Sequence, residues 1–405
     1  MDKKNTEPPK NWNLESLEDG RLVLNMGPSH PAMHGIVRLL LTVDGERVSD
    51  ADVEIGYLHR GFEKTCENVT YNQCVPYTDR LNYVSPFINN VGFALAVEKL
   101  MGVEAPARAQ YIRVIMSEIS RITDHLTCIG ANAMELSAFT VYFYLINARE
   151  ALYRLGDSAA GGRVTPAYTR VGGLTRDLPP DFKSETAAAF KLVRRNLADT
   201  GKLLTRNRIF YDRLHNTGHI SKEDAVSLSF TGPALRSTGV PLDVRKATPY
   251  LVYDRFDFDI PVGSNGDNYD RYLVRMEEIH QSMRIVEQAL AQLPDGPVTH
   301  PDFSVALPPK EEVHGNIEAL MAHFKLTIEG VKPPAGEVYQ AVEGGNGEVG
   351  FYLVSDGTGR PWRLRVRPPS FALTGGLARM IKGGYIADIV ATFGQINMIG
   401  GELER

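Results

Sequence analysis

The sequence predicts an α+β fold, with a small β unit on the N-terminal side, a helical bundle in the middle, and a β meander with one final helix on the C-terminal side. Three observations predict it. Apolar residues recur at steps of three and four through the middle of the chain, and extended stretches separated by turn dipeptides flank that region on both sides. With 405 residues, 43% hydrophobic and 23% charged, the chain is long and apolar enough to bury two or more cores.

Residues 1–20 read as a flexible tail: MDKKNTEPPKNWNLESLEDG is polar and acidic and lacks the apolar stretch of a secretory signal. Residues 21–84 form the β unit, in which 21–25 and 36–43 read as strands and GPSHPAMHG, 27–35, is the loop between them. The turn Asp44-Gly45 leads to another extended stretch near 53–57. The bundle core covers 85–330, with helices expected at 87–101, 106–133, 138–155, 184–205 and 270–292. In the second of these, Ile112, Ile115, Met116, Ile119, Ile122 and Leu126 share a stripe, whereas Arg113, Ser117, Arg121, Asp124 and His125 fall elsewhere. One buried face is the expectation. In the last, Tyr272, Met276, Ile279, Met283, Val286 and Leu290 repeat the pattern of a helix packed along a bundle. The C-terminal unit, 331–405, alternates GEVYQAV, VGFYLVS and PWRLRVR with the turns GGNG and DGTGR, a three-stranded meander, before one helix at about 375–393.

Charge and cysteines exclude several function classes. A net charge of −5 from 44 basic and 49 acidic residues offers no bulk positive surface for nucleic acid. Cys66, Cys74 and Cys128 form neither a CxxC pair nor a Cys/His cluster. That argues against an iron-sulfur or zinc site held by this chain alone and fits a reducing compartment. The longest apolar stretch, AFTVYFYLI at 138–146, is about half of the roughly 20 residues a bilayer crossing needs, so membrane association is expected to be peripheral.

Several runs carry chemistry, each with a plainer reading beside it. GPSHPAMHG sets His30 and His34 four apart, but Pro31 disfavours a helix there, and two turn histidines bonded to backbone is the plainer reading. GYLHRGFEK, 56–64, and PYTDRLNY, 76–83, hold groups able to bond a ligand carbonyl or balance a negative cofactor, or else form surface ion pairs of small effect. The acidic, glycine-containing run 254–271 lacks the ligand order of a calcium loop and reads as a turn feeding the next helix. Neither Val171-Gly172-Gly173 nor GGNG has dinucleotide-loop spacing, so this chain is not expected to bind NADH itself.

Taken in order over 21–405, GPSHPAMHG, IGYLHRGFEK, PYTDRLNY, AYTRVGG, GPALRSTG, PYLVYDRFDFDIPVG, GDNYDRYLVRMEEI and SDGTGRPWRLRVRPPSF resemble the D-type, quinone-site subunit of respiratory complex I, the proton-translocating NADH:quinone oxidoreductase. That family is in turn similar to the large subunit of nickel-iron hydrogenases, which implies a fold of that kind. The resemblance implies a peripheral-arm subunit on the cytoplasmic face of the bacterial inner membrane. It would reduce quinone, menaquinone or ubiquinone, beside the 4Fe-4S cluster of a B-type partner, with C-type, H-type and A-type subunits as further neighbours and no cofactor bound by this chain alone. By position, His34 and Tyr83 match the pair that hydrogen-bonds the two quinone carbonyls, and Glu135 stands where relatives have an aspartate engaging the histidine. His30, Arg60, Arg80 and Thr165 match cofactor-facing positions: the arginines beside the cluster, and Thr165 where relatives often carry a titrating histidine.

The CxxC pairs that hold the metal in hydrogenases would fall near Asn82 and Ser85 and near Ile399 and Glu402. Without thiolates a nickel-iron site cannot form there. A hydrogenase-like enzyme is opposed by that count, and a non-catalytic scaffold by His34 and Tyr83 occurring together. A quinone-reducing complex fed by another donor stays open, since other chains make the electron-input module.

Overall fold

A computed structural model describes residues 14–16 and 20–405. The rest of the expected tail lies outside the described residues, but Leu14–Ser16 is a strand, β1, paired antiparallel with β2, Leu22–Met26. Two more strands, β3 (Arg38–Asp44) and β4 (Arg47–Glu54), complete a sheet in the order β1-β2-β3-β4. In β3, Leu39, Leu41 and Val43 alternate with less buried neighbours, the period-two pattern of a half-buried strand. β4 starts well before the expected 53–57, because RVSDADVE places only Val48 fully in the core and so carries little apolar signal.

Two short helices follow, α1 (Phe62–Cys66) and α2 (Tyr71–Thr78), the second opened by the Thr70 N–H donating to Gln73 Oε1 at 3.0 Å. Then come α3 (Pro86–Met101), α4 (Ala107–Glu135) and α5 (Phe139–Ala160). Pro86 opens α3 and Gly102, at φ 66°, ends it. A two-residue hairpin, β5 (Thr169–Arg170) with β6 (Gly173–Leu174), leads to α6 (Phe182–Leu203). Four short helices, α7 (Arg208–Leu214), α8 (Lys222–Ser227), α9 (Gly232–Arg236) and α10 (Val244–Ala247), bridge to α11 (Asn268–Ala291). The acidic run before α11 caps it: Asp267 accepts from the Asp270 N–H at 2.9 Å.

α4 lies between α3, α5 and α11 and departs from the expected single buried face. Arg113, Ser117, Arg121, Asp124 and His125 are as buried as its isoleucines. Its polar side meets other charges instead of water. Glu118 accepts from Arg121 at 3.1 Å, Arg245 at 3.0 Å, Tyr253 at 2.7 Å and Ser282 at 2.7 Å. Arg236 donates to Glu278 at 2.7 Å and Glu343 at 2.8 Å, and His125 Nε2 lies 2.7 Å from Glu278. Burial alone would raise the Glu118 carboxyl, but Arg121 and Arg245 outweigh it and hold it down at about 2.

Two further helices, α12 (Lys310–Gly315) and α13 (Ile317–Ile328), precede the meander β7 (Gly336–Glu343), β8 (Glu348–Ser355) and β9 (Arg363–Arg367), which lies on α3. The final helix is not one but four: α14 (Pro369–Gly375), α15 (Leu377–Ile381), α16 (Ile386–Ile396) and α17 (Gly400–Leu403). The break after α15 is made by the first sheet. The Gly383 N–H donates to Val48 O at 2.8 Å and the Val48 N–H to Gly384 O at 2.9 Å, with Gly383 at φ 83°. The first sheet, α9 and α14–α16 therefore share one apolar core, while the long helices and the meander share another.

Candidate active site

His34 closes a 3-10 turn, Pro31–Met33, that rests on the buried side chain of Met33. The turn is tight enough that a Cβ on Gly27 would lie 2.3 Å from Val37 O. His34 and Gly35 both take left-handed backbone, φ 54° and 74°, which turns the imidazole out of the loop. Its Nε2 lies 2.9 Å from Oε1 of Glu135, the last residue of α4, and its ring meets Phe393 edge-on with centroids 5.4 Å apart. The other Glu135 oxygen is buried without a protein partner. His30 caps the same turn, its Nδ1 accepting from the Ala32 N–H at 3.2 Å, as the plainer reading of this histidine expects.

Tyr83 stands on the segment between α2 and α3 and is 41% exposed. Desolvation holds its phenol above its ordinary pKa, with Asp124 adding to the shift and Arg60 opposing it. A neutral hydroxyl, able to donate, follows. Arg60 donates to Arg80 O at 2.7 Å and Gly401 O at 3.1 Å, while Arg80 donates to Pro76 O at 2.7 Å. Both guanidinium groups line a cavity of about 270 Å³ with Phe62, Thr65 and Tyr77.

The two loops meet across α17. A Cβ on Gly400 would lie 2.5 Å from Ile36 Cδ1, and one on Gly401 would lie 2.4 Å from Arg80 O and 2.8 Å from Leu81 O. Only glycines let the His34 and Tyr83 segments close on the same backbone. Thr165 is not drawn in: half-buried between α5 and β5, it makes no hydrogen bond to any of these residues.

At the four positions where the resemblance would place hydrogenase thiolates stand two neutral donors, Asn82 and Ser85, the apolar Ile399 and the carboxyl of Glu402. Asn82 Nδ2 and Ser85 Oγ each donate to Asp124 Oδ2 at 2.8 Å, and Asn397 Nδ2 donates to Asp124 Oδ1 at 2.8 Å. Glu402 Oε1 accepts from the Ser370 N–H at 3.3 Å, and burial pushes its carboxyl up to about 8. Among the described residues no group of three or more His, Cys, Asp or Glu is placed to hold a metal ion. Sequence reasoning missed Asp124, Asn397 and the Gly400-Gly401 junction. A polar residue such as Asp124 looks solvent-facing on an amphipathic stripe, and nothing short of the packing around α4 reveals otherwise.

A family model described as "Respiratory-chain NADH dehydrogenase, 49 Kd subunit" matches residues 135–405. The chain is also 57% identical over 385 residues to a D-type NADH-quinone oxidoreductase subunit of Sorangium cellulosum (strain So ce56), covering 95% of each. The chain belongs to the 49 Kd subunit family of the respiratory NADH dehydrogenase. Further 49 Kd relatives include the D-type NADH-quinone oxidoreductase subunit of Myxococcus xanthus (strain DK1622), 54% identical over 96% of this chain and 94% of that one. A fused C/D-type NADH-quinone oxidoreductase subunit of Bdellovibrio bacteriovorus (strain ATCC 15356 / DSM 50701 / NCIMB 9529 / HD100) is 50% identical over 96% of this chain and 70% of that longer protein. As a 49 Kd family member the chain is an oxidoreductase component of complex I. No helix among its described residues is long and apolar enough to cross a membrane.

Proposed function

We propose that this chain forms the quinone headgroup site of complex I, with His34 and Tyr83 addressing the two carbonyls. The observation that carries the reading is the His34–Glu135 pair, held on a loop that shares the Gly400-Gly401 backbone with the Tyr83 segment. The imidazole of His34 donates a hydrogen bond to one carbonyl and supplies a proton as the quinone is reduced, while the contact with Glu135 holds the ring in place. Tyr83, kept neutral by desolvation, donates to the other carbonyl and supplies the second of the two protons that quinol formation consumes.

The electrons come from the 4Fe-4S cluster of a B-type partner. Arg60 and Arg80 present fixed positive charge toward that partner, which favours the more negative, reduced cluster. Thr165 faces the cluster without a titratable group. The fused C/D-type relative supports a C-type neighbour, and H-type and A-type membrane proteins complete the surroundings. The chain sits peripherally on the cytoplasmic face of the inner membrane and takes menaquinone or ubiquinone as substrate.

Tyr83→Phe in the assembled complex tests the site. Loss of the hydrogen bond to the headgroup, worth about 1–3 kcal/mol where the assembled complex and the bound quinone exclude water, should lower quinone reductase activity roughly 5- to 150-fold. NADH oxidation by an artificial acceptor should be nearly unchanged. Equal loss of both activities would make Tyr83 a structural residue and overturn the assignment.

A further inference from the structure

Asp124 is fully buried in the middle of α4, and among the described residues no Lys, Arg or His pairs with it. Its carboxylate is held by three neutral donors. Two of them, Asn82 Nδ2 and Ser85 Oγ, converge on the same oxygen at 2.8 Å each. Those two residues bracket Tyr83, one immediately before it and one two places after. The Asn82 side chain also accepts from the Val84 and Ser85 N–H groups at 3.1 and 3.3 Å, so the segment is folded around the contact.

The other carboxylate oxygen is tied to the opposite wall. Asn397 Nδ2 donates to it at 2.8 Å and to Asn346 Oδ1 at 2.6 Å. The hairpin tip of the meander covers the group so closely that a Cβ on Gly345 would lie 2.2 Å from Asp124 Oδ2. The group is fully buried, and a hydrogen bond is stronger in such a low-dielectric setting than in water.

We infer that Asp124 is a positioning residue for Tyr83, fixing both flanks of the tyrosine's segment from the same helix that carries the His34 partner Glu135. The inference rests on the quinone-site reading proposed above. One rigid rod then sets both donors: α4 holds Tyr83 through Asp124 and His34 through Glu135. A carboxylate suits this task better than an amide, because only the carboxylate presents two acceptor oxygens to three converging donors.

The test is a double-mutant cycle in the assembled complex, read as quinone reductase kcat with NADH oxidation by an artificial acceptor as the control. Asp124→Asn should lower kcat about 10-fold, and in a Tyr83→Phe background the same change should cost less than about 2-fold, because the hydroxyl it positions is already gone. Ser85→Ala removes a single donor with little volume change. It should give a smaller loss with the same non-additivity, and it carries the test where Asp124→Asn prevents assembly. Losses that multiply fully, with Tyr83→Phe itself impaired, would overturn the inference alone and make Asp124 a purely structural residue. A Tyr83→Phe complex with undiminished quinone reductase would overturn the quinone-site reading, and this inference with it.

Discussion

Glu402 is a buried carboxyl that forms no ion pair among the described residues, the pull of Arg367 being outweighed by burial, and its second oxygen has no protein partner. Burial raises its pKa from an ordinary 4.5 to about 8, so the folded protein holds a proton there that the unfolded chain gives up. The sign follows: its contribution is complete below about pH 4.5 and is lost as pH rises toward 8, at up to about 1.4 kcal/mol per pH unit. Glu402→Gln should therefore flatten the decline of thermal stability between those limits, and a protonated-carboxyl infrared band present at neutral pH should vanish in the variant. An unchanged pH profile would mean the carboxyl is already ionised. At this scale little was legible in the chain. His34, Tyr83 and Glu135 stood out only through ordered motifs, Glu402 only as the place of a missing thiolate, and Asp124 only as a polar residue off the apolar stripe of its helix. A carboxylate's role depends on what surrounds it, and those neighbours come from residues far away in sequence.

The helices long enough to repeat a period were legible, with α3, α4, α5, α6 and α11 each near its expected place. The short ones, α1, α2 and α7–α10, span too few residues for a stripe to declare itself. The broken C-terminal helix was hidden for another reason, since its stop is imposed by hydrogen bonds from Val48 in the first sheet. Gly92 shows how element packing overrides local preference. Alanine is favoured over glycine in a helix by about 1 kcal/mol, yet a Cβ at Gly92 would lie 2.7 Å from Phe351 and 2.9 Å from Val342 of the meander. Overpacking costs typically about 1–3 kcal/mol, so Gly92→Ala should destabilise the protein on balance, seen as a lower thermal midpoint. A midpoint that rises would mean that β7 and β8 can move off α3 freely.

Across the whole molecule, the buried charges of Glu118, Arg121, Arg245, Asp243, Arg236, Glu278 and Glu343 tie α4, α9, α10, α11 and β7 into one body. Removing one member strands its partners in a dry interior. Glu118→Gln should cost about 3–5 kcal/mol, measured by denaturant unfolding. The Glu118 carboxyl, held at about 2, should support the fold above its ordinary 4.5 and withdraw that support as pH falls toward 2, the opposite direction to Glu402. The α+β order was legible because alternating and helical periods occupy separate stretches. The sharing of cores was not, since no local pattern says that β2–β4 pack under α14–α16. That shared core sets a timetable for synthesis. Roughly 300 residues lie between β4 and α14, which at about 5–20 residues per second takes a ribosome some 15 to 60 s to make. Throughout that interval the apolar face of Leu39, Leu41 and Val43 is complete but lacks the cover of α14–α16, a natural client for a chaperone until that lid emerges.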